Sequence, residues 1–289
     1  MTHRNGQERC DKRGSFKDGI RYLEWGTERV PLKVSRPTFE ELYIGKKIIR
    51  GRLSEGIIDS QNIITNDSNL IFKLFSDLKG VNNRSIQNSI KKHNSLSREK
   101  LEKISKNYTY KYLLAVINST FANRYLNAVR RHKLKNYFYP DDFRKLPIKK
   151  LKNQGVFVNL VNYLQFLYSL DSSMADFFDR QLADSLVYEL YFCEKFNEDD
   201  FYPEPKHYLL DLVSKHLKPI EYDRWSDLHW KAQLEDNLSA AGEQELARLE
   251  KENLQTIEEV YNALSNDEEV KAHIMKIKEH PWVRVVEGE

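Results

Sequence analysis

Five basic side chains stand within six residues: Arg130, Arg131, His132, Lys133 and Lys135. Three aromatics, Tyr137, Phe138 and Tyr139, follow at once. A cluster of this kind neutralises phosphates. It does not by itself break bonds, because His132 has no carboxylate partner nearby in sequence to set its proton, so it reads as a phosphate-contacting or surface group. The aromatics can fill a core, or they can stack on an unpaired base. A second basic group lies upstream. In an extended strand the period of two puts Lys46, Ile48, Arg50 and Arg52 on one face, a row able to contact phosphates. The same charges would also protect an exposed strand against edge pairing.

Motifs that make or break covalent bonds are harder to find. The sequence holds no P-loop, no Gly-x-Ser-x-Gly and no zinc-ligand spacing. It has no glycine-rich cofactor loop after a strand. It also lacks the Asn/Asp-Pro-Pro-Tyr/Phe clamp with which adenine methyltransferases hold a flipped base; Tyr139-Pro140-Asp141-Asp142 does not match it. The carboxylates Asp59, Asp141-Asp142 and Asp199-Asp200 are the candidates for a metal-dependent nuclease. Asp59 lacks a following Glu-x-Lys, and the two adjacent pairs read equally as helix caps or solvated turns.

The elements that must position these groups fall into two differently charged parts. Residues 1–155 hold 33 Lys and Arg against 15 Asp and Glu, a net of +18; residues 156–289 hold 13 against 28, a net of −15. The first part suggests a polyanion partner. With 40% apolar and 31% charged residues the composition is that of a globular protein. No apolar run reaches the ~18 residues of a membrane span. The amino-terminal stretch lacks the apolar core of a secretory signal, and Cys10 and Cys193 read as free thiols. A cytoplasmic location with no membrane association is expected.

The expected organisation is α+β: a polar, disordered segment over 1–19, a basic mixed strand and helix domain over 20–155, and an acidic, all-helical region over 156–289. Two strands are expected around Ile44–Leu53 and Ile57–Ile64, turning at Ser54-Glu55-Gly56. Residues 76–109, rich in Asn, Ser and Lys, read as an insertion with one short helix near Ser97–Ser105. An apolar stripe of Tyr110, Leu114, Ile117, Phe121, Tyr125 and Ala128 predicts a single helix about 27 Å long. Beyond Asn153, helical periodicity recurs in five segments, punctuated by Pro203, Pro205, Pro219, Gly242 and Pro281; the end, from Pro281, reads as strand-like.

Tyr112, Leu113, Leu114, Val116, Ile117, Asn118 and Ser119, with Leu146, Pro147 and Ile148 downstream, resemble the TaqI-like C-terminal specificity domain of adenine-N6 DNA methyltransferases and fused restriction–modification enzymes. Residues 45–60, with Asp59 in the second strand, resemble that domain's paired strands. Residues 182–192 and 257–288 resemble the helical ends of the fused enzymes. The resemblance covers most of 20–289. It implies recognition of double-stranded DNA, with a methyltransferase domain, and in the fused enzymes a nuclease domain, supplied in cis or in trans. S-adenosylmethionine would belong to that domain, so no cofactor is expected here. Backbone contacts are expected from Lys46, Arg50, Arg52, Arg130, Arg131, His132, Lys133 and Lys135, and base contacts from Asn82, Asn83 and Arg84. Two other readings stay open: a protein–protein scaffold with oppositely charged halves, and a nuclease built on Asp59.

Overall fold

The computed structural model describes residues 16–17, 20–21, 40–52, 54–60, 62–63, 65, 69–93, 96–130, 137–199, 201–204, 206–235 and 238–288. The architecture is α+β. The described parts of Met1–Tyr110 and His132–Phe143 form one compact unit, and those of Lys111–Arg131 and Arg144–Glu289 a second.

The first unit is built on strands. β1 (Phe16–Lys17) and β2 (Ile20–Arg21) pair antiparallel, so backbone pairing begins inside the segment expected to be disordered. β3 (Lys47–Gly51), β4 (Gly56–Asp59) and β5 (Asn69–Phe72) form an antiparallel sheet in the order β4-β3-β5. Ile48 faces Ile58 and Phe72, and Ile49 faces Ile57 and Ile71. The two strands expected around a turn are there, reversing between Gly51 and Gly56; β5 is an addition. As the central strand, β3 is covered on both faces, and Lys47, Ile48, Ile49 and Arg50 are all buried. The Lys47 ammonium donates to the Tyr43 carbonyl at 2.5 Å and pairs with the buried Asp59, whose carboxylate also accepts from the Ile63 amide at 3.0 Å. Burial holds the Lys47 pKa below its ordinary value, with Asp59 working the other way.

Two short helices follow where one was expected. The Asn83 side chain accepts from the Ile86 amide and starts α1 (Arg84–Lys91). The Ser97 hydroxyl accepts from the Lys100 amide and starts the expected helix, α2 (Arg98–Ser105). Arg98 ties α2 to the preceding turn through the Val81 and Leu78 carbonyls, each at 2.5 Å.

The second unit is helical. The stripe predicted as one helix is two, α3 (Tyr110–Asn118) and α4 (Thr120–Val129). Ser119 makes the break: its hydroxyl donates to the Val116 carbonyl at 2.7 Å and accepts from the Ala122 amide at 3.1 Å. The buried Asp184 then takes the Thr120 amide at 2.7 Å and hydroxyl at 2.6 Å, so the open first turn of α4 is satisfied from another element. α5 (Pro140–Phe143) belongs to the first unit; α6 (Gly155–Ser169) belongs to the second. α7 (Met174–Asp176), a π-helical stretch at Phe177–Ala183 and α8 (Asp184–Glu198) run on without interruption. α9 (Tyr208–Ser214) starts on the buried Glu189 carboxylate, which accepts from the Leu209 and Leu210 amides and from the Tyr202 hydroxyl. Burial raises the pKa of Glu189 against the pull of those three donors.

α10 (Tyr222–Glu235) carries no helix signal strong enough to be picked out by period, yet it buries Tyr222, Trp225 and Leu228; Trp225 meets Phe166 of α6 edge-on at 4.7 Å. α11 (Ala240–Asn266) and α12 (Glu268–Glu279) follow, with Gly242 inside the first turn of α11, not between helices.

The expected terminal strand is a helix, α13 (Pro281–Glu287). Pro281 fits the first helical position, where no backbone donor is needed, and Gly288 closes the other end with φ 85°. Its cap is the buried His280, whose Nδ1 accepts from the Trp282 amide at 3.3 Å while Nε2 faces Asp199 at 3.5 Å. This geometry needs a neutral ring with the proton on Nε2. Burial against Phe196 and Phe201 lowers the His280 pKa, with Asp199 opposing. Above about pH 6.5 the ring is neutral in folded and unfolded chains alike. Below it, the unfolded chain takes a proton that the folded one resists, so stability falls with acid until the folded ring is protonated too. His280→Asn, which keeps a capping acceptor, is expected to lose less Tm between pH 7.5 and pH 5 than the wild type. Equal losses would remove His280 from the pH dependence.

Candidate nucleic-acid interface

In the first unit the aromatic run returns to the end of β3. The Phe138 amide donates to the Arg52 carbonyl at 3.3 Å. Extended backbone then sends alternate rings to opposite sides. Phe138 is buried and lies, with Phe143, around Arg50: the guanidinium is 5.6 Å from the Phe138 ring centre and 4.9 Å from that of Phe143. The rings of Tyr137 and Tyr139 lie side by side, 5.1 Å apart, with the Arg52 guanidinium 5.2 and 5.4 Å from their centres, and their hydroxyls bond each other at 3.0 Å. Asp142 accepts from the Tyr139 amide at 2.9 Å and Asp141 pairs with Lys92 at 2.9 Å, so one of these neighbouring carboxylates caps a turn and the other balances a lysine.

The expected row of strand cations does not form. Arg50 is 2% exposed, and burial brings its pKa down to about 10 against the pull of Glu55. It braces the aromatic rings from within the sheet and cannot reach a phosphate. Period-two reasoning fails here because β3 is a central strand with both faces covered. Lys46 is exposed and precedes the strand, and Arg52 is half-buried past its end.

In the second unit a different basic surface takes shape. The segment after Phe143 lies along α3 and α4. The Tyr112 hydroxyl donates to the Lys149 carbonyl at 2.6 Å, the Tyr125 hydroxyl to the Lys145 carbonyl at 3.1 Å, and the Tyr191 hydroxyl to the Pro147 carbonyl. The Lys145 ammonium in turn donates to Val129, the last carbonyl of α4, at 2.7 Å, which suits a cation at a helix carboxyl end. Arg144, Lys145, Lys150 and Lys152 are exposed along this segment, and Arg130 and Lys149 are half-buried; Arg124 is exposed on α4 with its guanidinium toward Gly288. Lys111 is different: it is buried, pairs with Asp223 at 2.7 Å and lies over the Tyr222 ring.

The signal that would have found this strip is the distribution of acids. Residues 103–170 carry thirteen Lys and Arg and two acids, Asp141 and Asp142, both engaged as above. The strip also softens the charge split. Counted by structural unit, 24 Lys and Arg stand against 15 Asp and Glu in the first, a net of +9, and 22 against 28 in the second, a net of −6.

The expected base-reading residues sit at the start of α1. Asn83 is committed as its cap, Asn82 accepts from the Gln87 side chain at 3.2 Å, and Arg84 is exposed. Arg131, His132, Lys133 and Lys135 lie outside the described residues, as does Cys10; Cys193 is a buried free thiol. Asp59 is 3% exposed and held by Lys47. Among the described residues no three His, Cys, Asp or Glu side chains are grouped to hold a metal ion, and no helix is long and apolar enough to cross a membrane.

Compared with models of protein families, with curated proteins and with solved structures, the chain matches none.

Proposed function

We propose that this chain recognises duplex DNA as the specificity part of a site-specific adenine-N6 DNA methyltransferase or restriction–modification enzyme, and that a separate domain or chain carries out methyl transfer. The observation that carries the reading is the 144–152 segment, with Arg144, Lys145, Lys150 and Lys152 exposed, inside a sequence tract, 103–170, that holds thirteen cations and two acids, both engaged within the protein. Positive charge without neighbouring negative charge is what a phosphate backbone selects. The resemblance of Tyr112–Ser119 and Leu146–Ile148 to the specificity domain supports the same partner.

Six phosphate contacts would give a log–log salt slope of about −5, so raising monovalent salt from 50 to 200 mM should weaken binding to a duplex on the order of 10³-fold. Fluorescence anisotropy with a labelled duplex measures this. Affinity that does not change with salt would replace the reading with a protein-docking surface. Methylated adenine formed by the purified chain and S-adenosylmethionine alone would overturn the division of labour.

A further inference from the structure

Arg52 packs on one side of two tyrosines, Tyr137 and Tyr139, whose rings are 5.1 Å apart and whose hydroxyls are bonded to each other. Its backbone carbonyl is fixed by the Phe138 amide. Its Nε is buried without a hydrogen-bond partner, while Nη1 and Nη2 are not buried. Among the described residues no carboxylate, carbonyl or hydroxyl takes a hydrogen bond from this guanidinium. A positively charged fork is thus held by ring faces, with its outer donors facing solvent and uncommitted. Beneath it, Arg50 fills the space under Phe138 and Phe143 and stiffens the platform.

We infer that Arg52 reads a guanine in the major groove, a specificity-determining contact that rests on the duplex-recognition reading above. Guanine presents O6 and N7 as two acceptors side by side, and a guanidinium meets both with parallel N–H bonds. That match is worth most when the fork is already oriented, because little side-chain freedom is then lost on binding. Two tilted tyrosine rings on one side of the guanidinium supply that orientation. A phosphate contact needs only a point charge, which the exposed cations of the 144–152 segment provide without such a platform. A protein carboxylate would also fit the fork, and the experiment separates these partners.

The full chain is presented with a pool of duplexes carrying a randomised core, and the bound sequences are read. The wild type should enrich a site with at least one invariant guanine. Replacing that guanine with 7-deazaguanine, which removes N7 and leaves the protein untouched, should weaken binding roughly 10- to 100-fold. Arg52→Lys keeps the charge and loses the fork; it should abolish the preference at that one position by a similar factor. Binding of Arg52→Lys to unselected duplex should stay within about threefold of wild type. Tyr137→Leu with Tyr139→Leu should erode the same preference without touching the others.

A wild-type chain that enriches a site which Arg52→Lys and 7-deazaguanine leave unchanged sinks the assignment of Arg52 alone. An Arg52→Lys or Arg52→Ala loss spread evenly over all duplexes makes Arg52 a phosphate contact and also overturns it. A wild-type chain that binds no duplex at 50 mM salt removes the DNA reading and this inference together.

Discussion

Lys47→Ala will destabilise the protein by about 3–5 kcal/mol, because it strands a charge inside the sheet. Lys47 has 0% exposure and Asp59 3%. Their contact satisfies the lysine together with the Tyr43 carbonyl, and the carboxylate together with the Ile63 amide. Removing the ammonium leaves the Asp59 carboxylate without its counter-charge in a place water does not reach. Stabilities of folded domains run to about 5–15 kcal/mol, so the single change takes a large share. The double variant Lys47→Met, Asp59→Leu removes both charges and fills the space. It should regain most of the loss, because a buried pair barely outweighs the cost of desolvating its members. Urea melts of the three proteins decide the matter. If the single and double variants unfold at the same midpoint, the pair is not what holds the sheet together.

The second large effect concerns binding. Replacing Arg144, Lys150 and Lys152 together with glutamine should reduce the salt slope of duplex binding by about 3 and weaken affinity on the order of 10²- to 10³-fold at 0.1 M salt, at roughly 0.9 per lost contact. All three are exposed, and the backbone bonds that fix the segment come from Tyr112, Tyr125 and Tyr191, which stay. Stability should therefore change little, as exposed substitutions usually do. The loss should be the same for every duplex sequence. A variant with wild-type slope would show that this strip does not face the phosphates.

Sequence reasoning reached the strand pair, the short helix near Ser97–Ser105 and five helices of the second half, because each rests on local pattern. It failed where a distant partner decides. Ser119 interrupts an apolar stripe that reads as one helix; what makes a new start possible is Asp184, 64 residues on, receiving Thr120. The terminal residues 281–287 are rich in valine and suggest a strand, but the His280 cap and the left-handed Gly288 define a helix. α10 has a weak amphipathic pattern and is held by Trp225 and Tyr222 finding α6.

For the candidate interface, charge was legible and burial was not. Arg50 and Arg52 look equivalent two residues apart. One is enclosed by Phe138 and Phe143, and the other keeps its outer nitrogens in water, a difference created by a chain segment more than 80 residues away.

The wide π turn at Phe177–Ala183 changes the phase of the rod that contains it. Each residue in an α-helix advances the side chains by about 100°, and a wider turn resets that count. Tyr168 meets Asp179 within this stretch and Thr120 meets Asp184 just beyond it; positions five apart differ by about 140° in a plain α-helix, and the wider turn brings them nearer in phase. The stretch ends at Asp184 and so delivers to the Thr120 amide the carboxylate that licenses the second start of the Tyr110–Val129 pair.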